Sequence, residues 1–210
     1  MARPIDPNKR KQIVDAARTL LHEKGYAQTR MSDIAHVAGI AAGTLYLYFP
    51  SKEALAQALA DDYLERLAEA LRPHLYYPDP AQSISDCAAA ALSFSEQERD
   101  ELRLLGLTLG LGTSSERTTG QMELYQMLAD ALQWRIERGE IAPYDPQVLA
   151  ELIGGMFEWV SQQILFDGSG ERTRYEETLV QLMQRALLTK GLPRLQDDAV
   201  DGKERELAEV

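Results

Sequence analysis

The chain holds one cysteine, Cys87, and three histidines, His22, His36 and His74. A lone thiol excludes an internal disulfide and suits a reducing compartment. The histidines lie far apart with no partner at metal-ligand spacing, so neither a metal site nor a cofactor is expected. No apolar run reaches the roughly 18 residues that a membrane span needs. Arg103 interrupts one candidate near Leu102–Leu111, and Glu158 interrupts another near Leu152–Val160. The opening residues, MARPIDPNKRK, are charged with no apolar stretch behind them, which does not read as a secretory signal. Sustained apolar–polar alternation is absent and β-branched runs are short, so no strand is expected. The reading is an all-α protein of the cytoplasm with no membrane contact.

The constellations of an enzyme are missing as well. No glycine-rich phosphate loop follows a strand, and Cys87 has no evident base. Asp61, Asp62 and Glu65 come nearest to paired carboxylates, but they fall on one charged helix face and read as solvated. A helical protein-interaction module without DNA binding, or a small helical enzyme, stays open as an alternative on composition alone.

What is present is 45% hydrophobic residues, enough for a core, and a very uneven charge. The whole chain carries −11, yet residues 1–52 carry +4 and the remainder −15. A basic end on an acidic body suits docking on a polyanion with the body held away. An unevenly charged, solvated surface accounts for the same numbers.

Helical spacing runs throughout. Ile13, Ala16, Ala17, Leu20 and Leu21 predict a first helix over Asn8–Lys24, stopped by Gly25. Then comes TRMSDIAHVAGIAAGTLYLYFPSK, from Thr29 to Lys52. Met31, Ile34, Ala35, Val37 and Ala38 predict a short helix capped by Thr29 and ended at Gly39. A second short helix is expected over about Ala42–Tyr48, before the break at Pro50 and Ser51. Ile34, Val37, Ile40 and Leu45 are expected to fill the wedge between the two. Such a pair is a helix-turn-helix, whose second helix can lie in the DNA major groove.

These residues carry a resemblance. Asp33-Ile34-Ala35, Ala38-Gly39-Ile40, Gly43-Thr44-Leu45-Tyr46 and Tyr48-Phe49-Pro50-Ser51-Lys52-Glu53-Ala54-Leu55 resemble the DNA-binding domain of the tetracycline-repressor (TetR) family. The resemblance implies a three-helix DNA-binding domain (1–52), a helical ligand-binding and dimerisation domain (53–192) and an acidic tail (193–210). It implies a homodimeric regulator, a repressor on a palindromic DNA operator, released by a small-molecule ligand. The DNA-facing set is Thr29, Arg30, Ala42, Gly43, Thr44, Tyr46, Leu47, Tyr48 and Lys52. Bare Gly43 allows close backbone approach, the hydroxyls suit phosphate oxygens, and Lys52 opens the next helix. Phe49 reads as core and Tyr48 as DNA-facing, while Tyr46 is open between the two. The chain departs from the family at Ala41, usually serine, and at Ala42 and Leu47, commonly polar or basic. Apolar side chains there suit thymine methyl groups rather than hydrogen-bonding base edges.

Beyond Lys52, Leu55, Ala58, Leu59, Tyr63, Leu67 and Leu71 predict a connecting helix of roughly 30 Å. Helices are further expected over Ala81–Glu98, Glu101–Leu109, 116–138, Pro146–Phe166 and Arg172–Lys190, with a glycine-rich break at 110–115. The resemblance places a ligand pocket in this body, for which Phe94, Leu105, Leu109, Tyr125, Met127, Trp134, Met156, Trp159 and Gln163 are candidates; each also reads as ordinary core. Pro146–Phe166 is apolar on more than one side and needs two burial partners, one plausibly a second copy. The candidate dimer face is Val148, Leu152, Gly155, Trp159, Leu179, Leu182, Met183 and Ala186.

Overall fold

The computed structural model describes residues 6–109, 118–167 and 172–189, with the side chains of 106–109 and 164–167 outside that set. Its described elements are α1 (Pro7–Gln28), α2 (Met31–Val37), α3 (Ala42–Tyr48), α4 (Lys52–Leu75), α5 (Pro80–Gln97), α6 (Arg99–Leu109), α7 (Thr119–Glu137), α8 (Pro146–Asp167) and α9 (Arg172–Leu187). The chain is all-α. Among the described residues, the only strand-like pairing is an isolated bridge between Ile141 and Leu188. The glycine-rich break at 110–115 and the acidic tail at 193–210 lie outside the described residues.

Local chemistry sets the helix ends. Asp6 caps α1 by accepting from the Asn8 N–H at 3.0 Å, with Pro7 in the first turn. At Gly25 the backbone breaks from helical geometry (φ 75°), as expected of a stop, and a last turn then continues to Gln28. Ser51 caps α4 through the Ala54 N–H, and Asp79 caps α5 through the Ala81 N–H. Thr118 and Gln121 close a reciprocal capping box on α7. The connecting helix outruns its expected end by one turn, because Pro73 sits within the last turn and the chain stays helical to Leu75.

Two connected regions of core result. Ile13, Ala17, Leu20, Ile34, Leu45, Phe49, Leu55 and Leu59 pack the N-terminal helices, and Leu105 of α6 reaches into the same cluster. In the body, Leu92, Ile141, Leu149, Ile153, Val160, Leu179, Met183 and Leu187 join α5, α8 and α9. The α4 helix runs through both regions: Leu55 and Leu59 face the first, while Ala68 and Leu71 face Ala91 and Leu124.

Of the three α4 carboxylates expected to be solvated, Glu65 is exposed but Asp61 and Asp62 are engaged. Asp61 accepts the Gly120 N–H at 2.8 Å, and Asp62 pairs with Arg18 and Arg66. Helix packing brings donors to them from α1 and α7, which spacing along one helix cannot reveal.

Candidate nucleic-acid interface and interior cavity

The α2–α3 pair is seated by a few buried apolar groups. Met31, Ile34 and Ala35 of α2, Ala38 after it and Leu45 of α3 are buried. Gly39 takes a left-handed conformation (φ 63°), the Ile40 N–H returns to the Ala35 carbonyl at 3.0 Å and the Gly39 N–H to the His36 carbonyl at 3.1 Å. This double bond pattern ends α2 and aims α3 across it. Gln12 Nε2 donates to the Ala38 carbonyl at 3.0 Å, fixing the turn to α1. Val37 departs from expectation: it is 51% exposed and fills no wedge, because Ile40 and Leu45 take that space.

Outside this anchor α3 is open. Leu47 is 78% and Tyr46 51% exposed, and Ala42 and Gly43 are exposed beside them. A Cβ added at Gly43 would meet nothing within 4 Å, so packing inside the chain does not require that glycine. Thr44 is half-buried on the flank. Ala41 stands at the N-cap of α3 with no side-chain bond, as a methyl group must. Arg30 and His36 are exposed.

Three members of the expected set have other partners. Thr29 is buried; its hydroxyl donates to the Gly25 carbonyl at 2.8 Å and closes the end of α1 rather than capping α2, whose N-cap is Arg30. It is not available to DNA. Tyr48 is half-buried and its hydroxyl accepts the Asp6 N–H at 3.2 Å. Lys52 donates to the Tyr26 carbonyl, with its ammonium 4.0 Å from the Tyr26 ring centroid. Phe49 is core, with the Arg10 guanidinium 5.3 Å from its ring centroid.

The body encloses a cavity of about 390 Å³ between α4, α5, α7, α8 and α9, with α6 at its edge. Its walls are mostly aliphatic, such as Leu67 and Leu71 of α4, Leu124 and Leu128 of α7, and Ile153 of α8. Gly154 leaves room for the Tyr125 ring: a Cβ there would lie 2.4 Å from Tyr125 Cε1. Polar groups sit at defined places. Ser161 donates to Ser95 at 3.1 Å next to the Tyr63 hydroxyl, whose pKa burial pushes up to about 12. Arg135, buried, donates to the Leu75 and Tyr77 carbonyls, both at 2.9 Å, and pairs with Glu140. Burial likewise pushes the Cys87 thiol up to about 11, which makes it a poor nucleophile.

Of the nine expected pocket residues, Tyr125 lines this cavity. Phe94 packs on Tyr63 with ring centroids 5.1 Å apart, and Leu105 is buried in the N-terminal core. Trp134 stacks on Tyr76 and beneath Arg138, facing away from the cavity. Met127 and Met156 pack in the body core outside the lining, and Gln163 also lies outside it. Trp159 is 56% exposed. The side chain of Leu109 lies outside the described residues. Leu67 and Leu71 of α4, expected to pack, line the cavity instead, since a wall and a core share one periodicity. Glu158, expected only to interrupt an apolar run, lines it as well.

The expected dimer face divides in two. Val148, Leu152, Trp159 and Leu182 are 52–61% exposed, with Gly155 and Ala186 exposed beside them. Leu179 and Met183 instead point into the subunit core and leave that face. The α9 helix lies against α5, so its heptad pattern contains both an inner and an outer stripe, which spacing alone merges.

A basic N-terminal bundle that presents one helix of a helix-turn-helix outward defines a DNA-binding protein. Residues 13–59 match the family model of bacterial regulatory proteins, tetR family. The chain is 32% identical over 157 residues to the A-factor receptor protein of Streptomyces griseus, covering 70% of this chain and 51% of that one. It is 28% identical over 158 residues to the HTH-type transcriptional regulator RutR of Escherichia coli (strain K12), covering 74% and 72%. A solved TetR-family transcriptional regulator from Pectobacterium atrosepticum superposes with a TM-score of 0.69 at 24% identity, over 88% of this chain and 96% of that one. Residues 13–59 are thus a TetR-family DNA-binding domain, and the chain is a DNA-binding transcriptional regulator. No described helix is long and apolar enough to cross a membrane.

Proposed function

We propose that this regulator is a cytoplasmic homodimeric repressor that binds a near-palindromic operator and leaves it when a small molecule fills the body cavity. The observation that carries the reading is the outward face of α3, with Tyr46 and Leu47 exposed on the end of the chain that holds the positive charge. Ala42, Gly43, Thr44, Tyr46 and Leu47 meet the groove, with Arg30 at a phosphate. Tyr48 and Lys52 mainly brace the reading helix, through Asp6 and Tyr26. Residues 1–52 act as the DNA-binding unit and 53–192 as the sensing and pairing unit.

Support for pairing comes from the apolar outer stripe of Val148, Leu152, Trp159 and Leu182, which a monomer leaves in water. A twofold dimer sets two copies of α3 about 34–36 Å apart, one helical turn of DNA. Support for ligand control comes from the aliphatic cavity against α4, the helix that continues from the DNA-binding bundle into the body. A coupling of about 1–3 kcal/mol changes operator affinity roughly 5–150-fold. The A-factor receptor protein is, by its name, a receptor for A-factor, and a receptor role is proposed here by analogy.

The test is a gel-shift titration on the gene's own flanking DNA, paired with sedimentation of wild type and Leu152→Glu. Wild type should form a salt-sensitive, sequence-specific complex as a dimer. The variant should sediment as a monomer and lose operator binding. A wild-type chain that is monomeric at micromolar concentration, or that gives no specific complex, overturns the reading.

A further inference from the structure

We infer that the body cavity selects a ligand with an apolar body and a cationic nitrogen head, and that Glu158 is its counter-ion. The inference rests on the cavity being the ligand site, as proposed above, and deepens it to a chemical class.

Glu158 stands on α8 and lines the cavity, and among the described residues no hydrogen bond or ion pair reaches its carboxylate. The other charged lining groups are engaged. Arg135 is held by Glu140 and two backbone carbonyls, and Arg103 is exposed and has an interaction of its own. Several neutral polar groups are engaged too: Ser83 donates to the His74 carbonyl at 2.7 Å, Ser161 to Ser95, and Gln121 completes the α7 capping box. Among the described residues, Glu158 is thus a charged acceptor that the protein leaves unspent on a wall with leucines and Phe157. Glu158 is half-buried, and that burial raises its pKa. A carboxylate in an apolar wall is costly without a partner, and a cation that donates a hydrogen bond removes that cost. An anionic head placed beside Glu158 meets a like charge instead. Gln162, four residues along α8 on the same helix face, also lines the cavity and adds an amide beside the head group.

The test uses decylammonium, decanol and decanoate, which share one alkyl chain, below their micellar concentrations. Binding to the full chain is followed by calorimetry at neutral pH. Decylammonium should bind about ten- to a hundredfold more tightly than decanol, and decanoate most weakly. In Glu158→Gln the preference for the cation should vanish and the three affinities should converge. Equal binding of all three to wild type, or a cation preference that survives Glu158→Gln, overturns the counter-ion assignment and leaves the ligand site standing. Binding by none of them overturns both.

Discussion

Arg18 of α1 donates to Glu101 of α6 across 3.0 Å, and the Glu101 side chain is 1% exposed. Arg66 of α4 reaches the second Glu101 oxygen, and Asp15, Asp62 and Glu98 complete the cluster. Burial works against the Arg66 charge, but the carboxylates of Glu101 and Glu98 outweigh it and raise its pKa. The cluster ties the first helix of the DNA-binding bundle to a helix whose Leu102 and Arg103 line the cavity. It is a physical link between reading head and cavity.

Glu101→Gln should therefore destabilise the chain. Breaking a buried pair by removing one partner costs about 3–5 kcal/mol. Arg18 and Arg66 are 24% and 30% exposed and keep other carboxylates, so a loss of about 2 kcal/mol is expected. Urea denaturation measures it, and a change within about 0.5 kcal/mol contradicts the role.

Two DNA-facing substitutions should behave differently. Leu47→Ala should weaken binding at one base position, about 1–3 kcal/mol for operators with a thymine methyl under that side chain and little for others. Arg30→Ala should weaken all operators alike and reduce the salt slope by about one. Affinity across single-base operator variants at several salt concentrations separates the two. A uniform loss for Leu47→Ala would show that it does not read a base.

Gly120→Ala should loosen α7 from α4. A Cβ there would lie 2.9 Å from the Asp61 Cα, a backbone atom that cannot rotate away. Overpacking of this kind costs about 1–3 kcal/mol. Thermal melting should show the loss, whereas Gly43→Ala, in open space, should leave the melt unchanged.

Glu158 should also leave a pH signature in the absence of ligand. Its folded-state pKa is raised by burial, so the folded chain keeps that proton to higher pH than the unfolded chain. The contribution to stability is thus greatest below the ordinary carboxylate pKa, about 4.3, and falls as pH rises through the raised value. Of the other groups lining the same cavity, burial pushes Tyr63 up to about 12 and Cys87 up to about 11, far above this window, and Arg103 and Arg135 are the remaining charged side chains. Compared by urea midpoints, Glu158→Gln should equal wild type at the acid end and exceed it at neutral pH. A constant offset at all pH values would rule out titration of Glu158 as its source.

Much of this was legible in the residues. The break at Pro50 and Ser51 and the stops at Gly25 and Gly39 set helix boundaries through local chemistry, and the short α3 followed from spacing. The family motif over Asp33–Leu55 identified the reading head. The cavity was far less legible. Trp134 and Phe94 suggested a wall by their type, but they pack elsewhere, and leucines of α4 form the wall instead. Thr29 carries an ordinary capping signal, yet its hydroxyl turns back to Gly25.

The order of helices depends on contacts within a few residues along the chain and the basic end on composition, and those the sequence determined by itself. Which side of each helix faces a neighbour depends on crossing geometry, and a residue such as Met183 or Leu182 satisfies the same periodicity whether it points in or out. Tertiary structure decided that Glu158 lines a cavity wall, that Asp62 meets Arg18, and that Leu152 is left in water. Burial and charge pairing are properties of surfaces brought together from distant parts of the chain.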